Sequence, residues 1–214
     1  MNFTTPSIPR WIKSIRNPHY KNIFEFNLGN RNLWGTETLL GDWSGQFLVI
    51  AQDFYPTSYI EKNIKDGLVN PYCHKEGIPT NSNLIKTLRH FGYLKGNETN
   101  VNCGFLYVSA CFLLRADGNI RGSLPDRDNV LRQSLPVLQF TIENMKNLEC
   151  AVAMGKPAAD AVLKSPLSAL LKGRRVRCFE VSHPAYAMTD AARMEQWEPV
   201  FSASKSSRSG GVFT

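Results

Sequence analysis

No apolar run in the 214 residues approaches the ~20 that a membrane-spanning helix needs. Near the start, Arg10, Lys13 and Arg16 interrupt Trp11, Ile12 and Ile15, so there is no secretory hydrophobic segment. A cytoplasmic protein with no membrane partner is the expectation. Cysteine is scarce: the five residues Cys73, Cys103, Cys111, Cys150 and Cys178 form an odd set with no C-x-x-C pair. Neither a zinc nor an iron–sulfur site has support in that spacing, and no metal or cofactor is expected. Cys111, Cys150 and Cys178 lie in or beside apolar runs and read as small buried residues. Neither G-x-G-x-x-G nor a P-loop follows any strand-like run, which argues against a doubly wound nucleotide-binding domain. There is no internal repeat.

What remains is the composition of a globular protein, 43% hydrophobic and 20% charged. The length suits one full-sized domain rather than two. We read residues 1–201 as that domain, with 1–46 a basic, aromatic lead-in packed on it. Trp11, Tyr20, Phe24, Phe26, Trp34 and Trp43 of the lead-in are expected to pack rather than to stack on bases. Residues 202–214, rich in Ser and Gly, read as a mobile tail. The formal charge of +7 fits a polyanionic partner.

Four apolar runs read as strands buried on both faces: Phe47 to Ala51, Phe105 to Ala110, Cys150 to Met154 and Val176 to Val181. Helices are expected between them. One starts after a Thr57 cap, and one is capped by Asn81 or Ser82 and stopped by Gly92. A third covers 126–147, with Leu131, Leu135, Leu138, Ile142 and Met145 on one face and a kink or break at Pro136. Shorter ones follow at Ala158 to Leu163 and from Asp190 to about Trp197, with another near Pro9 to Arg16. This alternation predicts a three-layer α/β/α sandwich around a central, mostly parallel four-stranded sheet. In such a sheet, chemistry gathers where strands surface at their carboxyl ends. Asp53 and His183 stand just past two of those ends.

The pieces match a pattern. Ala51-Gln52-Asp53-Phe54-Tyr55 is similar to the Gly-Gln-Asp-Pro-Tyr motif of the uracil-DNA glycosylase superfamily, and Ser182-His183-Pro184-Ala185 to its His-Pro-Ser motif. Between them, the run from Gly104 through Ser109 to Arg115 resembles the strand that ends in an Asn of the base pocket. Ser82-Asn83-Leu84-Ile85 and Ala151 to Gly155 resemble a helix start and the penultimate strand. Five short motifs agree in order over roughly residues 45–190. The resemblance implies a cofactor-free, monofunctional DNA glycosylase, monomeric, with DNA as its partner.

Breaking a pyrimidine–deoxyribose bond produces an oxocarbenium-like sugar and an anionic base, so the site needs a negative group and a donor. On this resemblance Asp53 stabilises the sugar and orients water, while a neutral His183 donates to the base oxygen. Gln52 offers a second donor through its backbone N–H, and Tyr55 stands against the pyrimidine C5 edge. The target must leave the stack, so a basic groove and a wedge are expected. Lys172-Gly173-Arg174-Arg175-Val176-Arg177 is the densest cationic run and reads either as a solvated loop or as a phosphate contact. Ala185 takes the place of a phosphate-pinching Ser, Lys156 stands where relatives often have Ser, and Tyr186 or Met188 is the candidate wedge.

Two departures fall in the base pocket. Asn70 aligns with the aromatic that stacks on the flipped base, with Tyr72 close enough to substitute. Ser109 aligns with the Asn that reads the Watson–Crick edge, and a hydroxyl cannot make the paired amide contacts. Both changes enlarge the pocket and relax its code. The expectation is therefore excision of a damaged or bulkier pyrimidine, such as a modified cytosine of the phage type. The alternatives are uracil excision with a rearranged pocket and a DNA-binding relative without catalysis. Whether the role is repair or defence stays open.

Overall fold

The computed structural model describes residues 6–25, 42–54, 56–66, 79–94, 104–116 and 123–208. Tyr55, Asn70 and Tyr72, three of the base-pocket candidates, lie outside them. In chain order the elements are α1 (Arg10–Lys13), β1 (Tyr20–Lys21), β2 (Phe47–Ala51), α2 (Thr57–Lys65), α3 (Pro79–His90), β3 (Phe105–Ser109) and β4 (Leu114–Arg115). They continue as α4 (Arg127–Asn144), β5 (Cys150–Met154), α5 (Lys156–Leu163), α6 (Leu167–Gly173), β6 (Arg177–Val181) and α7 (Asp190–Arg208).

Strands β2, β3 and β5 are buried at every position because both faces of the sheet are covered. The four-stranded sheet runs in the order β3-β2-β5-β6, and every pairing is parallel. One face (Leu48, Ile50, Leu106, Val108, Ala151, Ala153) packs with Val130, Val137 and Leu138 of α4, Ala158 and Val162 of α5 and Leu171 of α6. The other (Phe47, Val49, Phe105, Tyr107, Val152, Met154) packs with Leu84 and Leu88 of α3 and Trp197, Val200 and Phe201 of α7. Each fully buried Val, Leu, Ile, Phe or Met side chain among these contributes roughly 1.5–3 kcal/mol. The result is the expected α/β/α sandwich. A second, antiparallel pair joins β1 to β4 and ties the lead-in to the domain, with Tyr20 opposite Arg115.

Several local expectations need correction. Helix α3 starts at Pro79, ahead of Asn81 and Ser82, with proline in the first-turn position where its missing N–H costs nothing. Its end is as expected: Gly92 takes φ +79°, and the N–H groups of Gly92 and Tyr93 return to the carbonyls of Arg89 and Leu88. Thr57 is the first residue of α2 rather than its cap. Helix α4 runs unbroken through Pro136. The bond that Pro136 cannot donate is to Arg132, and both residues are on the exposed side while Val130, Leu131, Val137 and Leu138 anchor the buried one. Helix α7 likewise continues past Trp197 and Pro199 to Arg208, so residues 202–208 are helical rather than tail. Phe201, 1% exposed and packed on Phe47, Phe91 and Tyr93, carries it beyond the expected stop. The lead-in aromatics divide: Tyr20 and Trp43 are buried, whereas Trp11 is exposed. Cys111 and Cys150 are buried as expected, but Cys178 is exposed, because its strand is the sheet edge.

Candidate active site

At the end of β2 the chain leaves the core through Gln52 and Asp53. The N–H groups of Ala110 and Cys111 reach back to the carbonyls of Ala51 and Gln52, both at 2.8 Å, and hold that exit in place. The Asp53 side chain is only 16% exposed. Its Oδ2 accepts from Arg115 Nε at 2.6 Å, and its Oδ1 accepts from the Gln52 amide at 3.2 Å. The guanidinium of Arg115 is itself buried, so each charge has its counter-charge where water cannot serve.

His183 stands two residues past β6. Its loop is fastened on three sides. Gln196 of α7 makes a two-point clamp on Ser182, accepting from its N–H at 2.9 Å and donating to its Oγ at 3.2 Å. Asn83 of α3 donates to the carbonyl of Pro184 at 2.7 Å. The N–H of Gly155 reaches the carbonyl of Val181 at 2.8 Å. Gly155 has φ +85° and ψ 165°, a region left to glycine, and a Cβ there would come within 3.2 Å of the His183 Cβ. A side chain at 155 would therefore push on the histidine.

The ring is oriented as well as placed. Pro184 has no N–H, so the next donor, the N–H of Ala185, points at His183 Nδ1 (3.3 Å). With Nδ1 accepting, the proton of the neutral ring sits on Nε2. Burial pushes the imidazole below its ordinary 6.5, which keeps it neutral at pH 7.

Strand β5 separates β2 from β6, so Asp53 and His183 leave the same carboxyl edge about two strand spacings, ~10 Å, apart. A cleft of about 520 Å³ opens there. Gln52 forms its β2 side and His183 its β6 side, with Gly155, Lys156 and Pro157 between and Glu180, Tyr186 and Gln196 around it. Asp53 and Ser109 are not part of the cleft wall. Asp53 meets it through the Gln52 amide, and Ser109, at the end of β3 and 3% exposed, has an Oγ without a hydrogen-bond partner among the described residues. Tyr186 is exposed at the cleft (67%), Lys156 and Ala185 are exposed, and Met188 is half-buried. Among the described residues no group of three His, Cys, Asp or Glu converges on a metal position.

The cationic run does not join this site. Lys172, Arg174 and Arg175 precede β6 and sit at the amino edge of the sheet, a five-residue strand or ~16 Å from the cleft. Arg174 is occupied there: it donates to the carbonyls of Ile142 and Met145 (2.7 Å for the latter) at the end of α4. Lys172 and Arg175 are exposed. These three residues, read as either a solvated loop or a phosphate contact, therefore stand apart from the cleft.

Arg115, Gln196, Asn83 and Glu180 escape a reading of the sequence. Arg115 follows the apolar run Leu113-Leu114, where a charge reads as a surfacing chain, so nothing local announces its burial against a carboxylate. Gln196 and Asn83 have partners 14 and 101 residues away, and Glu180 is marked only by its place in the cleft wall.

The fold and site define an α/β/α protein with a cleft of mixed polar and apolar lining at the carboxyl edge of its sheet. No protein-family model matches the chain, and no curated protein shows significant similarity to it. No helix among the described residues is long and apolar enough to cross a membrane.

Proposed function

We propose that this chain is a monofunctional DNA N-glycosylase of the uracil-DNA glycosylase type, acting on a flipped pyrimidine nucleotide. The observation that supports it best is the ring state of His183. A neutral imidazole with its proton held on Nε2, at the strand edge it shares with a fixed carboxylate, suits a reaction that releases an anionic base. In this reading, His183 Nε2–H donates to the base oxygen as negative charge collects there, and Asp53 offsets the positive charge growing on the sugar and orients the attacking water. Gln52, between them, holds the Asp53 carboxylate by its amide and presents its backbone at the base. Tyr186 is the wedge that fills the vacated stack, and Lys156 meets a backbone phosphate.

The base is a damaged or bulkier modified pyrimidine. The alignment of Ser109 with the edge-reading Asn supports this, because a short hydroxyl cannot make two amide contacts to a uracil edge. The test offers the purified chain oligonucleotides carrying uracil (single-stranded, U·G and U·A), hypoxanthine and modified cytosines including glucosylated ones. Alkali-labile abasic sites report excision. Excision of a modified pyrimidine, lost by about 10³-fold in Asp53→Asn, is the expected result. Uracil excised in preference overturns the base assignment, and DNA binding without excision of any base overturns the hydrolase reading.

A further inference from the structure

The chemistry just proposed gives no task to Arg115. Its guanidinium is 1% exposed and is among the largest fully buried side chains. Removing water from such a group is costly, and an apolar side chain of similar volume usually serves stability as well. The geometry suggests another reason for it. Arg115 Nε meets Oδ2 of Asp53 at 2.6 Å, which leaves Oδ1 on the side of Gln52. Among the described residues Cys111 also faces the pair, and burial pushes its thiol up, so it stays neutral.

The arginine is itself seated. Its strand pairs with the lead-in, the N–H of Ala116 donates to the carbonyl of His19 at 3.1 Å, and the Tyr20 hydroxyl donates to the carbonyl of Pro125 at 2.7 Å. Arg115 also donates to the carbonyl of Ser123 at 3.4 Å. Thus β1 and the residues leading into α4 fix the backbone from which the guanidinium reaches Asp53.

We propose that Arg115 is a positioning residue: it holds the Asp53 carboxylate in one orientation for base excision, and β1 of the lead-in forms part of its seat. This rests on the glycosylase reading above. The test is a double-mutant cycle in single-turnover excision, on whichever oligonucleotide the parent cleaves, with the folded fraction of each variant measured by circular dichroism. Arg115→Met should lower the rate about 100-fold with the oligonucleotide Kd unchanged, and Arg115→Lys should fall between. In an Asp53→Asn background, Arg115→Met should change the residual rate by less than about two-fold, since its target is gone.

A parent-like rate in Arg115→Met overturns the inference while leaving the glycosylase reading intact. So does the same fold-loss in both backgrounds, which marks a merely structural arginine. Should Arg115→Met fail to fold, Arg115→Lys and its cycle with Asp53→Asn decide in the same way. No excision by the parent chain overturns the glycosylase reading, and the inference with it.

Discussion

The two edges of the parallel sheet use their polar residues differently. At the amino edge, charges close on the protein's own backbone and side chains. The Asp42 carboxylate accepts from the N–H groups of Ser44 and Gly104, Glu149 accepts from Gln46 at 2.6 Å, and Arg174 holds the last carbonyls of α4. At the carboxyl edge, Asp53 and His183 are held just as firmly, but a cleft opens between Gln52 and His183. The contrast teaches where to look. Density of charge along the chain marks the amino edge, at Lys172 to Arg175, while the sparse polar residues that interrupt apolar runs mark the site. A backbone whose ends must be capped attracts charge for structural reasons. A strand exit in an open parallel sheet leaves side chains facing a crevice.

Four substitutions would break or sharpen this contrast. The largest effect is expected from His183→Ala, which should lower the excision rate about 100-fold while DNA affinity holds, as measured in single-turnover assays. The same variant carries a pH signature. Because the folded imidazole titrates below 6.5, its contribution to stability is complete above 6.5 and is lost as pH falls through that lowered value. The melting temperature of the parent should therefore drop more steeply below pH 6.5 than that of His183→Ala. Equal slopes would remove the buried neutral ring from the account.

Next comes Gly155→Ala. With φ +85° and a Cβ contact of 3.2 Å on His183, it should cost about 1–3 kcal/mol in denaturant unfolding, and it should disturb His183 in the same stroke. A variant as stable as the parent would show that the loop moves freely and that His183 is not held. The smallest effect separates the two edges by charge alone. Lys156→Ala should weaken oligonucleotide binding and reduce the slope of log K against log salt by about one, whereas Lys172→Ala should leave both unchanged. The reverse pattern would place the DNA on the amino edge and undo the comparison.

Much of the architecture is legible in the chain. Strands such as Phe47 to Ala51 announce themselves because a segment buried on both faces has no polar position to spare. Helix ends are harder. Pro136 reads as a kink or break and the last helix as ending near Trp197, yet Pro136 and Pro199 each sit on an exposed face where the lost hydrogen bond is cheap and the opposite face is packed. Of the candidate site, Asp53, Gln52 and His183 were legible as polar residues ending apolar runs. The fastenings were not: Gln196 on Ser182 and Asn83 on Pro184 join elements far apart in sequence, and neither leaves a local periodicity.

By itself, then, the sequence determines which segments are buried and where each must surface, since hydrophobic patterning is written residue by residue. Only the tertiary structure decides which surfaced ends are neighbours. The order β3-β2-β5-β6 sets Asp53 and His183 two strands apart, and the β1–β4 pair delivers Arg115 beneath the carboxylate. Those are long-range pairings, selected by the packing of whole layers, and no stretch of chain carries them alone.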